Sequence, residues 1–301
     1  MIKPQRIFHT AKSLHSLSKQ RFSDLAKLNY INFTNDAAVT DLIVLHGVMG
    51  NKFNFRSIAK HKDLKSLCNS YLFDLRNHGK SEHKPTMTLE QMANDLEAAV
   101  QQIGLDKFYL MGHSLGGKVA MEYSKLFAER LKGLIIIDIG PFNYNDTSKF
   151  KCGMELRNML HALAKIPLEG ISREQLELEI YKAANEDKNL AGVLWANIEE
   201  PAKNEFKWRV NIDVIDRSTE DFLGDLTEPS KKYNKPVKII AGGHSEFVPR
   251  DELAEFEKVF DNFDTRRDVV YFEGADHWVH FGRAQEFVNE VSSFIKQNEK
   301  L

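Results

Sequence analysis

The sequence contains little cysteine and has no excess of charge of either sign. Only Cys68 and Cys152 occur in 301 residues, and they lie far apart in the chain. This excludes a disulfide framework and a cysteine-based zinc site, and it suits a reducing compartment. The 41 basic and 43 acidic residues give a formal net charge of -2. We therefore expect neither nucleic acid nor an anionic membrane surface as a partner.

Long hydrophobic runs and cofactor motifs are also missing. No apolar run approaches the roughly 18 residues that a membrane-spanning helix requires, so we predict no membrane span. The sequence has no G-x-x-x-x-G-K-[ST] motif and no cluster of histidines and carboxylates with metal-ligand spacing. We therefore expect neither a cofactor nor a metal. The content of hydrophobic residues, 42%, is that of an ordinary globular protein.

Residues 1–26 differ in composition from the rest of the chain. They are basic and rich in serine, and the first acidic residue is Asp24. Such a leader is typical of a mitochondrial transit peptide, with a basic arm as the alternative. We predict a mitochondrial protein, in the matrix, and otherwise a cytoplasmic one.

Short apolar runs alternate with stretches of helical spacing along most of the chain. We predict strands at residues 42–45, 71–73, 108–111, 134–137, 237–240 and 269–272, after an exposed early strand at 28–33. Helical spacing covers residues 88–103, 115–127 and 284–296, with Thr88 as a cap and Gly104 as a stop. This alternation predicts an α/β fold in which helices cover both faces of a mostly parallel central sheet.

The pattern changes between residues 141 and 230. This segment is rich in Leu, Met, Glu and Lys with helical periodicity, and it has no clear buried strand. We predict a helical cap at 141–230, inserted into a core formed by 27–140 and 231–301. A stripe that includes Leu156 and Met159 either lines an acyl pocket or packs the cap against the core.

The sharpest motif is Gly112-His113-Ser114-Leu115-Gly116, which matches G-x-S-x-G. A predicted strand runs into it and a predicted helix follows it. A serine on such a tight turn is exposed to a base, while the two glycines allow close approach of the backbone. Ser114 is therefore the predicted nucleophile.

Two further loops complete the predicted chemistry. The loop His46-Gly47-Val48-Met49-Gly50 follows a buried strand, so we assign the oxyanion donors to the backbone N–H groups of Val48 and Leu115. His277 follows the last predicted strand, where it can reach across the strand ends to Ser114. We choose His277 as general base among 11 histidines because of that position.

Together these motifs resemble the α/β-hydrolase superfamily from about residue 28 to the C-terminus. Within it, they are similar to the subgroup of the mitochondrial α/β-hydrolase domain-containing protein eleven and related small bacterial esterases. The resemblance is carried by residues 46–55, 74–81, 112–118, 138–141, 208–211 and 274–280. It implies an α/β-hydrolase fold and hydrolysis of carboxylic esters or thioesters without a metal.

The acid of the triad is less clear in the sequence. Many members of the superfamily place it after the strand that follows the cap, but Ser245 stands there. Asp138, at the end of the predicted strand 134–137, is our choice. Asp213 and Glu246 are the alternative acids.

The sequence thus predicts a serine hydrolase that cleaves small or acyl-chain esters or thioesters through an acyl-enzyme on Ser114. A carbon–carbon bond hydrolase or a haloperoxidase-type enzyme would use a similar triad. A non-catalytic binding or assembly protein on a hydrolase fold is the alternative from another class. The sequence identifies a small-molecule substrate as partner and no particular protein partner.

Overall fold

The computed structural model describes residues 24–301, so most of the predicted leader lies outside the described part of the chain. The central element is a seven-stranded sheet. Its strands are β1 (Tyr30–Phe33), β2 (Thr40–Leu45), β3 (Cys68–Phe73), β4 (Phe108–His113), β5 (Leu131–Ile137), β8 (Val237–Gly242) and β9 (Val269–Phe272). They lie in the order β1-β3-β2-β4-β5-β8-β9.

The sheet is mostly parallel, as predicted. Strand β1 at one edge is antiparallel to β3, and every other neighbouring pair is parallel. The carboxyl ends of β4, β5 and β8 therefore meet at one edge of the sheet. Ser114, Asp138 and Gly243 directly follow these three strands.

The helices of the core pack on both faces of this sheet. They are α1 (Arg56–Ala59), α2 (Lys62–Leu67), α3 (Leu89–Ile103), α4 (Leu115–Phe127), α10 (Phe256–Val259), α11 (Thr265–Asp268) and α12 (Ala284–Glu299). Short 3-10 helices cover Ala128–Arg130 and Arg250–Glu255. None of the helices in residues 24–301 is long and apolar enough to cross a membrane.

Alternation along the strands divides the buried side chains into two clusters, one on each face. In β2, Ile43 and Leu45 belong to the cluster under α3 and α4, whereas Leu42 and Val44 belong to the cluster under α1, α2 and α12. Successive side chains of a strand point to opposite faces, so a continuous apolar run indicates a strand buried on both sides. The predicted strands and their helical cover are thus confirmed.

Helix α3 shows how the local sequence determines the ends of an element. Thr88 accepts a hydrogen bond from Gln91 N at 3.1 Å, and the Gln91 side chain accepts one from Thr88 N, also at 3.1 Å. This reciprocal capping box satisfies amide groups that the first turn leaves free. Gly104 ends the helix with φ 81°, in the left-handed region that favours glycine. Both predicted ends of this helix are correct.

The segment between β5 and β8 is mainly helical, but it is not helical throughout. It contains α5 (Lys151–Ala164), α6 (Arg173–Ala183), α7 (Lys188–Trp195), α8 (Ile212–Arg217) and α9 (Thr219–Phe222). An antiparallel hairpin of β6 (Ile198–Ala202) and β7 (Glu205–Trp208) lies between α7 and α8. The sequence did not indicate this hairpin, because most of its side chains are exposed and leave no apolar run.

The two ends of this segment are joined to each other and to α4. Leu226 N donates to Pro141 O at 2.8 Å, across the base of the insertion. Lys118, on α4, donates from Nζ to Phe142 O at 2.8 Å and to Gly224 O at 2.6 Å. Burial lowers the pKa of Lys118 to about 7.

Candidate active site

Ser114 lies on a strained turn between β4 and α4. Its backbone has φ 52° and ψ -118°, a conformation that L-residues rarely adopt. A Cβ on Gly112 would lie 2.1 Å from Gly116 O, and a Cβ on Gly116 would lie 2.6 Å from Leu45 O. Both positions therefore require glycine, which is the reason that the motif spaces two glycines around the serine.

His277 and Asp138 lie side by side at the carboxyl edge of the sheet. His277 Nδ1 is 2.7 Å from Asp138 Oδ2. Asp138 is fully buried, and its other oxygen, Oδ1, accepts a hydrogen bond from Gly242 N at 2.8 Å. A buried carboxylate with these partners holds one orientation of the imidazole ring. Among the described residues no hydrogen bond joins Ser114 Oγ to that ring, but both side chains line the same cavity.

Ser245 occupies the position where an acid was expected, and it contacts the acid that is present. Its hydroxyl donates a hydrogen bond to Asp138 Oδ2, and Phe247 N donates to Ser245 Oγ at 3.2 Å. Asp138 Oδ2 is therefore shared between Ser245 and His277. The sequence indicated the special position of Ser245 only indirectly, because a carboxylate was expected there.

The structure does not bring the two alternative acids to His277. Asp213 is exposed in the first turn of α8. Glu246 is also exposed, although it directly follows Ser245. Within residues 24–301, Asp138 is the carboxylate that hydrogen-bonds to the His277 ring.

The loop after β2 lies beside Ser114, as the order of the strands requires. A Cβ on Gly47 would lie 3.1 Å from Ser114 Cβ, so the backbone of this loop passes directly over the serine. Val48 lines the same cavity as Ser114. No hydrogen bond of the described chain occupies the N–H of Val48 or of Leu115. Both donors are therefore available to a ligand.

Three polar side chains that the sequence did not single out support this loop. His78 Nε2 accepts a hydrogen bond from Met49 N at 3.3 Å, and Asn197, from the inserted segment, donates to Met49 O at 2.6 Å. His46 Nε2 accepts from Leu75 N at 3.0 Å. Burial lowers the pKa of His78 to about 3 and also lowers that of His46, so both rings are neutral and can accept. His46 and His78 lie in motifs that carry the family resemblance, but no local pattern indicates these hydrogen bonds, because the partners are distant in sequence.

Backbone strain is concentrated around the same cavity. Met49, Ser114 and Asp138 have positive φ values of 57°, 52° and 48° although none of them is glycine. Such conformations cost about 1–3 kcal/mol each and persist where the surrounding structure enforces them, often at functional sites. The strain supports a functional role for the three loops that meet here.

The cavity has a volume of about 740 Å³ and lies between the sheet edge and the inserted segment. The insertion contributes apolar lining from Cys152, Leu156, Met159, Leu190, Val193 and Leu194, and polar lining from Glu155, Asn185, Asp187 and Asn189. The ring of Phe247 stacks on that of His277 at 4.1 Å between centroids. On the side of the core, Asp276 and Arg283 add charged groups to the lining. An apolar cavity with a few polar groups is the usual form of a small-molecule site.

The cavity also settles the open question about the apolar stripe of α5. Leu156 and Met159 line the cavity, whereas Leu160 and Leu163 are fully buried in the core. The stripe therefore both lines the cavity and packs the inserted segment against the core. Within residues 24–301 no group of three or more His, Cys, Asp or Glu side chains is arranged to hold a metal ion.

Comparison with known proteins agrees with this architecture. The family model described as alpha/beta hydrolase fold matches residues 41–284. The sn-1-specific diacylglycerol lipase ABHD11 of Danio rerio is 29% identical over 276 residues, which is 92% of this chain and 84% of the relative. The esterase YbfF of Escherichia coli is 27% identical over 258 residues, which is 84% of this chain and 92% of the relative.

A solved structure shows the same fold. A marine microorganism esterase has a TM-score of 0.79 at 28% identity, over 89% of this chain and 99% of the esterase. Since the family model matches most of the chain, this protein belongs to the α/β-hydrolase fold family.

Proposed function

We propose that this protein is a serine hydrolase that cleaves carboxylic esters or thioesters through an acyl-enzyme on Ser114. The proposal is carried by one observation: the His277–Asp138 pair and the strained Ser114 line the same cavity. Nucleophile (Ser114), acid (Asp138) and base (His277) follow one another in the chain order of this fold. The similarity to an esterase and a lipase supports the same reaction class.

The first half of the reaction forms the acyl-enzyme. His277 Nε2 takes the proton from Ser114 Oγ, and the oxygen attacks the carbonyl carbon of the substrate. The N–H groups of Val48 and Leu115 stabilise the oxyanion of the tetrahedral intermediate, a contribution of about 3 kcal/mol per donor. The imidazolium of His277 then gives its proton to the departing alcohol or thiol, and the acyl group stays on Ser114.

The second half releases the acid. His277 takes a proton from a water molecule, which attacks the acyl-enzyme carbonyl, and the proton returns to Ser114 Oγ as the carboxylic acid leaves. Asp138 holds the Nδ1–H tautomer of His277 and stabilises the imidazolium in both halves. The hydroxyl of Ser245 donates to the same carboxylate oxygen and so fixes its direction.

The form of the cavity supports an acyl chain rather than a peptide. Its apolar wall comes from α5 and α7 of the insertion, which we propose acts as a cap over the site. The volume, about 740 Å³, accommodates an ester with a chain of several carbons. The relatives named as diacylglycerol lipase and esterase support a neutral carboxylic ester as substrate.

The test is hydrolysis of p-nitrophenyl esters of increasing chain length by the wild type and by Ser114→Ala. We expect turnover that Ser114→Ala abolishes, with an optimum chain length that reports the size of the pocket. A fluorophosphonate probe should label the wild type and not the variant. If the folded wild type neither turns over any ester or thioester nor takes the label, a binding or assembly role replaces the hydrolase.

We also propose that the basic leader directs the protein to mitochondria. The support is its composition: it is rich in Lys, Arg and Ser and has no acidic residue before Asp24. The full chain with a C-terminal fluorescent tag should colocalise with a matrix marker, and a chain without residues 1–26 should not. Equal cytosolic distribution of both would contradict the proposal.

A further inference from the structure

His113 is buried beside the proposed catalytic residues, lines the same cavity and lies against all three loops of the site. It is the last residue of β4 and directly precedes Ser114. Its ring Nε2 lies 2.9 Å from the backbone carbonyl oxygen of His277. A carbonyl oxygen can only accept, so Nε2 carries the hydrogen and donates it. One hydrogen bond therefore joins the turn that carries the nucleophile to the loop that carries the base.

Packing holds the His113 ring in this place. Its centroid is 4.7 Å from that of the His277 ring and 5.0 Å from that of Trp278. On its other side, a Cβ on Gly47 would lie 3.0 Å from His113 Nδ1. A side chain at position 47 would therefore crowd the ring. The ring fills the space between the turn at Ser114, the loop after β2 and the loop that carries His277.

Burial also keeps His113 neutral. It lowers the pKa of His113 well below 6.5, and the nearby His277 and His280 lower it further. When His277 takes the proton of Ser114, a second charged imidazole 4.7 Å away would oppose that transfer. A neutral ring that donates from Nε2 keeps the His277 backbone in place without this repulsion.

From these contacts we propose that His113 is a positioning residue, which sets the distance between His277 and Ser114 through the His277 carbonyl. The inference rests on the proposed hydrolase function and assigns a role to the variable residue of the G-x-S-x-G motif. A misplacement of about 1 Å at a reacting centre can lower a rate about 100-fold. A single bond that determines the position of the base should therefore affect kcat more than substrate binding.

The test compares two replacements of similar length. His113→Gln keeps an N–H donor near the position of Nε2, whereas His113→Met fills the same space without a donor. We expect His113→Met to lower kcat for a p-nitrophenyl ester at least about tenfold with less than a twofold change in KM. That loss corresponds to one hydrogen bond of about 1.4 kcal/mol. His113→Gln should keep kcat within about threefold of the wild type.

A matched control separates positioning from general loosening of the buried rings. His280 is buried in the same cluster, with its ring 5.7 Å from that of His113, and within residues 24–301 its ring nitrogens have no hydrogen-bond partner. His280→Leu should therefore change the melting temperature but leave kcat within about twofold. If it lowers kcat as much as His113→Met, the role of His113 is only to fill space and the proposal is overturned.

Amide hydrogen exchange provides a readout that does not depend on activity. Exchange in residues 274–282 should be faster in His113→Met than in the wild type and unchanged in His113→Gln. Equal exchange and equal kcat in the two variants would overturn the proposal while leaving the hydrolase function intact. A wild type without esterase activity would contradict the proposed function, and the exchange rates would still decide whether His113 holds this loop.

Discussion

Ser245 Oγ donates a hydrogen bond to Asp138 Oδ2, the carboxylate oxygen that lies 2.7 Å from His277 Nδ1. Asp138 follows β5 and Ser245 follows β8, and these two strands are parallel neighbours in the sheet. The ends of the two strands therefore converge on the same imidazole. In this chain the carboxylate follows β5, and the loop after β8 supplies a hydroxyl that binds it.

The first prediction concerns the identity of the acid. Asp138→Asn should lower kcat about 100-fold or more, because the amide cannot stabilise the imidazolium and favours the wrong tautomer of His277. The matched variants Asp213→Asn and Glu246→Gln should retain kcat within about twofold, since both side chains are exposed. Steady-state kinetics on one p-nitrophenyl ester measures all three. A large loss of kcat in either control variant would contradict the assignment of Asp138 as the acid.

The second prediction is that the acid can be moved to β8. In the double variant Asp138→Asn, Ser245→Asp, the new carboxylate starts from a position that already reaches the partner of His277. We expect the kcat of the double variant to be at least about tenfold higher than that of Asp138→Asn, because a charge next to the ring is restored. Ser245→Ala alone should lose about tenfold or less, the size of one hydrogen bond to a charged group.

Failure of the double variant to exceed Asp138→Asn in kcat would contradict this prediction. The single variant Ser245→Asp is the control, because it places two carboxylates together in a buried site. Like charges there should reduce the free energy of unfolding, which urea titration measures.

The third prediction tests the space around the nucleophile turn. Gly112→Ala should lower the free energy of unfolding by more than about 3 kcal/mol, because its methyl group would lie 2.1 Å from Gly116 O. Gly192→Ala is the matched control, since it lies in α7 and an added Cβ meets no atom within 4 Å. That variant should be more stable by about 0.5–1 kcal/mol. Urea denaturation of both variants checks the contrast, and an equal effect would contradict it.

The fourth prediction concerns the pH dependence of stability through Lys118. Burial lowers its pKa to about 7, whereas the unfolded chain has the ordinary value of 10.5. Between these values the unfolded chain binds a proton that the folded chain does not. The free energy of unfolding therefore rises with pH in this range, by up to about 1.4 kcal/mol per pH unit from this group. Below pH 7 both states are protonated and the full penalty of the buried charge remains.

Lys118→Met removes this contribution. The free energy of unfolding of the wild type minus that of the variant should increase by about 1 kcal/mol per unit between pH 7.5 and 9.5. Urea unfolding at several pH values measures this difference. A constant difference for Lys118→Met would contradict the prediction.

Local patterns in the sequence were sufficient to predict most of the strands and helices of the fold. Continuous apolar runs marked the strands, and the spacing of apolar residues marked α3, α4 and α12. Thr88 and Gly104 marked the ends of α3, because caps and stops act on the nearest turn. The hairpin β6–β7 was missed, because most of its side chains are exposed and carry no periodic signal.

For the site, the sequence by itself determined the turn at Ser114 and placed His277 after the last strand. Both depend on a few consecutive residues and on their position relative to a strand. It favoured Asp138 as the acid because of its place at a strand end, with Asp213 and Glu246 as alternatives. Only the tertiary structure decided which carboxylate lies against His277, and it alone showed the bonds from Ser245, Asn197 and His113.

The physical reason is the distance along the chain. The bond between His277 and Asp138 joins residues 139 positions apart, and that between Asn197 and Met49 joins residues 148 positions apart. Such contacts depend on which strands become neighbours and on how the insertion closes over the sheet edge, and no local propensity encodes either. The role of a side chain that acts only through such contacts can be identified only from the tertiary structure.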